Sequence, residues 1–289
     1  MGQVTATTER YLKETSRDRA AIFWIIAFPI IWVIINSFTF TRGMPEEGLP
    51  LLRGSYAIHM AILAVMIAAI VGFPASIASD RERGLLSKLL SMPILPWKDA
   101  VGRLLGIFGV SAVAVALVFA VGSICGGRFH PTHLGILKSI GFFLLALLAA
   151  VGIGSIIGTF IKRQYGALMT GVGVVIGTAS ISGIFLPYPF LPSPLQAFSK
   201  IYPLSSCNSA VIALLAGGEE SAGYNPLTAG HIVLTTTISI ALFVIGLLLY
   251  RRFCWGRRWK KPVKMLPPMA GKQPPKTRDR CPNMGNLIN

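Results

Sequence analysis

Six separate stretches of the sequence are almost entirely apolar over about 20 residues or more, and this feature limits the fold more than any other. An α-helix needs about 20 apolar residues to cross the hydrocarbon core of a bilayer. Helices also pair their own backbone N–H and C=O groups, and none of the stretches alternates like a membrane β-strand. The sequence therefore predicts an all-α, polytopic membrane protein with six transmembrane helices. The predicted spans are residues 20–40, 55–79, 101–125, 136–161, 164–186 and 230–250.

The composition supports the same conclusion. Hydrophobic residues make up 53% of the chain and charged residues only 13%, whereas soluble domains carry roughly 25% charged residues. A soluble protein would have to bury six helices that have almost no polar face. The first apolar stretch is longer than the apolar region of a cleavable signal peptide, and no small-residue cleavage site follows it. We therefore expect it to stay in the mature protein.

The distribution of Lys and Arg predicts the orientation in the membrane. Basic residues concentrate in cytoplasmic loops, and with six spans the two termini share one side with the loops at 80–103 and 162–163. That side carries 22 of the 27 Lys and Arg residues, and the other side carries 5. We expect both termini in the cytoplasm and the protein in the cell membrane. The net charge of +16 follows from this topology and does not indicate nucleic acid as a partner.

The pattern divides the chain into three segments. Residues 1–19 form an amphipathic N-terminal segment at the membrane surface, residues 20–250 the six-helix domain, and residues 251–289 a basic tail. Basic clusters next to a span bind the headgroups of membrane lipids, and most of the tail has the composition of a disordered segment. Cys125 and Cys207 could both lie near the outer face, so a disulfide between them stays open.

The predicted spans lack side chains for catalysis or ion coupling. All 11 Asp and Glu residues lie outside the middle of the spans, whereas ion-coupled transporters place such groups within the bilayer. The chain also lacks the Gly-x-x-x-x-Gly-Lys-Ser/Thr loop that binds ATP phosphates, so we expect no bound cofactor and no ATPase activity. His130 and His133 have no carboxylate or Cys nearby to complete a metal site. A secondary transporter or channel, or a membrane-embedded enzyme, remains the alternative.

A short amphipathic helix is predicted between the second and third spans, over residues 82–92. Charged residues precede it and Pro93 ends it. Its apolar residues fall on one helical stripe; they are Leu85, Leu86, Leu89 and Leu90. A simple connector needs no such stripe, so the helix is suited to docking on a cytoplasmic partner. Anchoring at the lipid interface is the alternative.

This segment resembles the signature of the ABC-2 type permeases, the membrane subunits of ABC exporters. The matching residues are Glu82-Arg83-Gly84-Leu85-Leu86, then Pro93, then Val101-Gly102-Arg103. A second match follows the fifth span: Ser182-Gly183-Ile184-Phe185-Leu186-Pro187, Leu191-Pro192, Leu195-Gln196 and Tyr202-Pro203-Leu204. The resemblance extends over almost all of residues 10–250. Leu85 replaces the usual Thr and Lys88 lies near the usual second Glu, so we expect a docking surface of different charge. Tyr202 is a separate departure and replaces the usual Asn before Pro203-Leu204.

The resemblance implies a function and a set of partners. The chain would be the permease of an ATP-driven exporter that works by alternating access. Two six-helix subunits, identical or paralogous, would pair, and each would bind a nucleotide-binding ATPase subunit that holds ATP and Mg²⁺. The helix at 82–92 would be the coupling helix, residues 8–19 a connecting helix on the membrane surface, and residues 194–217 a re-entrant outer segment.

Two further sets of residues are candidates for helix packing and for transport. Small residues recur every four positions along the fourth span, which would let another helix approach closely; they are Ala146, Ala150, Gly154 and Gly158. Similar exporters line the substrate path with the second and fifth spans. This similarity makes Tyr56, His59 and Met66 the candidate contacts for cargo. For His59, a hydrogen-bonded packing role is the alternative.

Overall fold

The computed structural model describes residues 2–39, 48–85, 96–130, 132–185, 188, 191–216 and 223–255. All regular secondary structure within these ranges is helical. The helices are α1 (Gln3–Arg17), α2 (Arg19–Thr39), α3 (Leu49–Glu82), α4 (Pro96–Ile124), α5 (His133–Phe160), α6 (Gln164–Ile181), α7 (Ser193–Ile201), α8 (Pro203–Leu215) and α9 (Ala229–Tyr250). Six of them, α2 to α6 and α9, are long and apolar enough to cross a membrane. The predicted all-α fold and its number of spans are therefore confirmed.

The observed bounds differ most from the predicted ones in the second, third and fifth spans; α4 begins at Pro96, five residues before the predicted span at 101–125. Helix α3 is 34 residues long and extends beyond both ends of the predicted span at 55–79. Helix α6 is 18 residues long and ends at Ile181 rather than at residue 186. Gly183 has φ = 84°, a left-handed conformation that commonly ends a helix two residues earlier. The apolar pattern predicted the core of each span better than its ends.

Helix α3 lies at the centre of the bundle. Its most apolar window is 83% buried, compared with 17% for the window of α9 and 22% for that of α6. Helices α2, α4, α5, α6 and α8 all pack against it. The other spans expose large apolar side chains, including Phe108, Leu144 and Val244. A soluble protein rarely exposes so much apolar surface, whereas lipid would cover it in a bilayer.

Two of the spans contain a π-helical segment just before a proline. In α2 the segment Phe23–Ala27 precedes Pro29, and in α3 the segment Ile67–Gly72 precedes Pro74. Proline has no backbone N–H, and its ring collides with the carbonyl group four residues earlier. A wider turn before the ring relieves this collision. The Phe-Pro dipeptide at each site is the sequence signal for the irregularity.

Helices α5 and α6 approach the π-helical segment of α3 through glycines. A methyl group on Gly154 of α5 would collide with the carbonyl group of Ala69. A methyl carbon on Gly171 of α6 would lie only 2.7 Å from the carbonyl oxygen of Ile70. All four members of the small-residue stripe predicted on α5 are buried: Ala146, Ala150, Gly154 and Gly158. The close approach of α5 and α6 to the central helix therefore depends on the absence of a side chain at Gly154 and Gly171.

Helix α1 packs along the first turns of α4 through another pair of glycines. A methyl group on Gly102 would collide with Thr7, and one on Gly106 would collide with the ring of Tyr11. Thr8 Oγ1 also donates a 2.9 Å hydrogen bond to the carbonyl of Gly102. The Gly-x-x-x-Gly spacing is one that lets two helices approach closely. Burial raises the pKa of Tyr11 to about 12, so its hydroxyl group stays protonated.

The segment predicted to be re-entrant, residues 194–217, contains two helices. They meet at Tyr202, and the second of them, α8, is too short to cross a membrane. Helix α8 is buried along most of its length against α3, α5 and α9. Ser199 and Ser205 both donate hydrogen bonds to the carbonyl of Ser182, which ties the pair to the end of α6. The entry of this pair into the bilayer stays a prediction.

The ends of the chain are described only in part. Helix α1 lies within the predicted surface segment 1–19, and its position at a bilayer surface stays a prediction. The predicted tail 251–289 begins with the π-helical turn Arg251–Trp255, which continues α9. The predicted disorder concerns residues beyond 255, which lie outside the described ranges. Cys125 and Cys207 are free thiols, so the disulfide that the sequence left open is not formed.

The close packing of α5 on α3 gives a test with a matched control. Gly154→Ala should lower the free energy of unfolding by about 1–3 kcal/mol, because the added methyl meets backbone rather than a movable side chain. Gly141→Ala in the same helix meets open space and should be neutral or stabilising by up to about 1 kcal/mol. Thermal unfolding in detergent measures both. Equal stability of the two variants would contradict the packing described.

Candidate functional site

A buried network of charged side chains joins four helices at one end of the bundle. Arg103 of α4 forms ion pairs with Asp80 of α3 and, at 3.0 Å, with Asp99 one turn earlier. Arg10 of α1 also pairs with Asp80, and the hydroxyl group of Tyr250 in α9 donates a 2.9 Å hydrogen bond to Asp99. Arg103, Asp80 and Asp99 are each at most 2% exposed. The network fixes the positions of α1, α3, α4 and α9 relative to one another.

The network satisfies the conditions under which charges can be buried. Two carboxylates face two guanidinium groups, so the charges balance. Arg103 Nη1 also donates a 3.1 Å hydrogen bond to Ser76 Oγ, so each of its three guanidinium nitrogens donates a hydrogen bond. Removal of one partner from a buried ion pair typically costs 3–5 kcal/mol, because the other charge is left without compensation. The members therefore depend on one another.

This network is not evident from the sequence pattern. Arg103 was counted among the basic residues that predict topology, and Asp80 and Asp99 were placed among the carboxylates outside the middle of the spans. The available signal was the spacing of Asp99 and Arg103, which are four residues apart on a helix and face one direction. The apolar residues on both sides of Arg103 were a second signal, because they place it within the span.

The residues predicted to couple to an ATPase begin where α3 ends. Glu82, the last residue of α3, accepts a 3.1 Å hydrogen bond from the backbone N–H of Gln164, the first residue of α6. Arg83 forms a 3.0 Å ion pair with Glu14 of α1. Gly84 has φ = 67°, a conformation that glycine adopts far more readily than other residues. The base of the predicted coupling segment is thus bonded to two other helices.

The rest of the predicted coupling helix falls largely outside the described residues. Arg83 and Gly84 form a turn, so a helix in this segment starts after Gly84 rather than at residue 82. Leu85 is half-buried. Four members of the predicted motif lie within 86–95, outside the described ranges; they are Leu86, Leu89, Leu90 and Pro93. The coupling helix and its apolar stripe therefore stay predictions.

The three candidate cargo contacts lie inside the subunit. Tyr56, His59 and Met66 are all buried on α3. The ring of His59 is 6.4 Å from that of Tyr56, and its Nδ1 accepts a 2.8 Å hydrogen bond from Asn208 Nδ2 of α8. This hydrogen bond is the contact that a packing role for His59 requires. A role in contacting cargo stays a prediction for all three.

A cavity lies next to the second and fifth spans, away from the three candidate cargo contacts. A cavity of about 320 Å³ opens between α1, α2, α3 and α6, beside the π-helical segment of α3. Glu14 and Asp18 line it at one end, and apolar side chains such as Trp24 and Leu168 line the remainder. The candidate cargo contacts do not line this cavity. Its volume lies at the lower end of the range typical of small-molecule sites.

The charge network gives a second test. Arg103→Met should lower the free energy of unfolding by about 3–5 kcal/mol, because it leaves Asp99 and part of Asp80 unpaired. Adding Asp99→Leu should recover part of this loss, since Asp80 keeps Arg10. Lys13→Met removes an exposed ion pair with Glu9 and should change nothing measurable. A double variant no more stable than Arg103→Met would contradict the pairing, as measured by thermal unfolding in detergent.

Comparisons with known proteins identify the family of this chain. Residues 2–216 match the family described as ABC-2 type transporter. The chain is also similar to the linearmycin resistance permease protein LnrN of Bacillus subtilis (strain 168). The two are 24% identical over 164 residues, which cover 57% of this chain and 42% of that relative, so the chain spans less than half of the relative's length. The family match covers α1 to α8, and the chain therefore belongs to the ABC-2 type transporter family.

Proposed function

We propose that this chain is the permease subunit of an ATP-driven exporter, which moves its substrate out of the cytoplasm with a separate ATP-binding subunit. The observation that carries the proposal is that the first residues of the predicted coupling segment form side-chain contacts with two other helices. Glu82 ties this base to α6, and Arg83 ties it to α1. Family membership supports an ATP-binding partner. ATP and Mg²⁺ would be held by that partner rather than by this chain.

The charge network would carry movement of the coupling segment into the bundle. Asp80 lies two residues before Glu82, so one turn of α3 contacts both the network and α6. Buried ion pairs resist separation, because each charge left behind would be uncompensated. A push on the segment at 82–92 would therefore tilt α1, α3, α4 and α6 together. The substrate path would then open between subunits more readily than within one.

A paired arrangement and an amphipathic substrate follow from the same proposal. A second copy of this chain, or a paralogous permease, would supply the other wall of the path. The relative named above is a linearmycin resistance protein, which favours a toxic small molecule as the exported substrate. The cavity next to α3 and α6 is polar at one end and apolar at the other, which suits an amphipathic molecule. Tyr56, His59 and Met66 would contact it only after the bundle opens.

The proposed orientation places the charge network on the cytoplasmic side of the cell membrane. Basic residues gather at this end of the bundle, in agreement with the bias of 22 to 5 in the sequence. Both termini would then lie in the cytoplasm. The start of the coupling segment would face the same compartment, where an ATP-binding subunit has access to ATP.

The orientation is tested by cysteine labelling in intact cells. In a chain whose four cysteines are replaced by Ser, a cysteine at Gly48 should react with an impermeant maleimide. A cysteine at Lys162 should react only after the cells are permeabilised, because the loop between α5 and α6 faces the cytoplasm. Labelling of Lys162→Cys in intact cells would overturn the orientation.

The coupling role is tested in the complex of this chain with its ATP-binding subunit. Changing Leu86 and Leu89 together to Ser should weaken the complex at least about 100-fold, since each buried Leu contributes roughly 1.5–3 kcal/mol. Changing the same pair to Met keeps the apolar surface and should preserve binding. Co-purification and ATP-driven transport in vesicles measure the effect. The permease alone should hydrolyse no ATP.

Substitutions of Glu82 separate docking from helix capping. Glu82→Lys removes both the negative charge and the acceptor for the N–H of Gln164, and it should uncouple hydrolysis from transport. Glu82→Gln keeps an acceptor oxygen, so any defect that it shares with Glu82→Lys comes from the lost charge. If both Glu82→Lys and the double Ser variant transport normally, the segment anchors to lipid and does not couple.

A further inference from the structure

An apolar groove runs between α4, α5 and α9 at the end of the bundle that holds the charge network. Its volume is about 300 Å³. Leu104, Val151 and Leu247 are among the apolar side chains that line it. Arg251 is the only charged residue of the described ranges that lines it, and Trp97 lies near it at the same end. The groove is therefore apolar along its length and basic at its mouth.

The depth of the groove matches one leaflet of a bilayer. Along α9 the lining residues run from Phe243 to Arg251, a length of about 12 Å at 1.5 Å per residue. One leaflet contributes about 15 Å of a hydrocarbon core that is about 30 Å thick. The groove can hold an extended acyl chain of that leaflet, and it does not reach the other one.

Positive charge surrounds the mouth of the groove. Lys98 Nζ lies 5.6 Å from the ring centroid of Trp97, and Arg251 lies on the facing helix. Arg252 is exposed next to it. The nearest carboxylate along the chain, Asp99, is buried and already paired with Arg103. No acidic residue of the described ranges lines the groove, so a headgroup there meets uncompensated positive charge beside an indole suited to the interface.

We propose that this groove is a binding site for an anionic phospholipid. One acyl chain fills the groove, and the phosphate group lies between Lys98 and Arg251. A zwitterionic lipid could place a chain in the same groove, but its headgroup has no net negative charge, and the two basic side chains would repel its ammonium group. The site depends only on the chain lying in a membrane, so it stands whether or not the proposed export function is correct.

Occupancy of the groove bears directly on the charge network. Tyr250 and Phe73 both line the groove, and their ring centroids are 6.3 Å apart. The hydroxyl group of Tyr250 is the one that binds Asp99. A bound chain packs against these rings and keeps them in place, so lipid binding and the network stabilise one another.

The proposal is tested by thermal unfolding of the purified full chain in detergent with added dioleoyl phospholipid. Phosphatidylglycerol should raise the unfolding temperature at lower concentration than phosphatidylcholine. Lys98→Gln together with Arg251→Gln should raise the phosphatidylglycerol concentration needed for the effect on the order of 30-fold. Each basic group near the surface contributes about 1 kcal/mol, and the loss of two such groups corresponds to about a 30-fold change in affinity. Lys162→Gln together with Arg163→Gln removes the same charge elsewhere at this end and should keep the full effect.

A steric variant separates the groove from the charges. Ala100 lines the groove, so Ala100→Phe fills part of it while both basic residues remain. This variant should lose the phosphatidylglycerol effect as well. Phosphatidylcholine as effective as phosphatidylglycerol would overturn the proposal. A full phosphatidylglycerol effect in either groove variant would overturn it too, and would assign the effect to the basic surface in general.

Discussion

Arg103 holds two carboxylates from different helices in a place where water does not reach, and the arrangement of the bundle depends on this contact. Once helices are in a bilayer, the hydrophobic effect no longer drives them together, because lipid tails are as apolar as the side chains. Directional contacts and close packing must then set which helices pair. Arg103, Asp80, Asp99, Arg10 and Tyr250 supply such contacts for four helices at once. Displacement of any one of these side chains would leave a buried partner without its contact.

Close packing holds α3 in position nearer its middle. The π-helical turn before Pro74 lies against α5 and α6, and Gly154 and Gly171 leave room for its carbonyl groups. A side chain at either position would separate the helices. The central helix is thus held by backbone contact in its middle and by ion pairs near its end. Backbone contact therefore opposes its movement relative to α5 and α6, and ion pairs oppose its movement relative to α1 and α4.

The sequence predicted the parts of this structure that repeat along the chain, and it missed the parts that depend on a meeting of distant residues. Six spans were predictable because each carries its own apolar signal. Arg103 was read as a topology signal, since a basic residue at the end of a span has that meaning far more often, and Asp99 was read as a loop charge. The bond of His59 to Asn208 joins residues 149 positions apart, and periodicity carries no information about such a pair. Glu82 was predicted to face a partner protein, and its hydrogen bond to Gln164 of α6 is visible only in the structure.

The two ends of the bundle are held by contacts of different strength. At one end, separation of the helices would break buried ion pairs, and a charge left inside the bundle without its partner costs about 3–5 kcal/mol. At the other end, neutral hydroxyl groups connect α6, α7, α8 and α9, including a 2.6 Å hydrogen bond between Ser206 and Thr235. Each neutral hydrogen bond contributes only about 0.5–1.5 kcal/mol net. Separation of the helices would therefore meet less resistance at the hydroxyl end than at the charged end, where the predicted coupling segment begins.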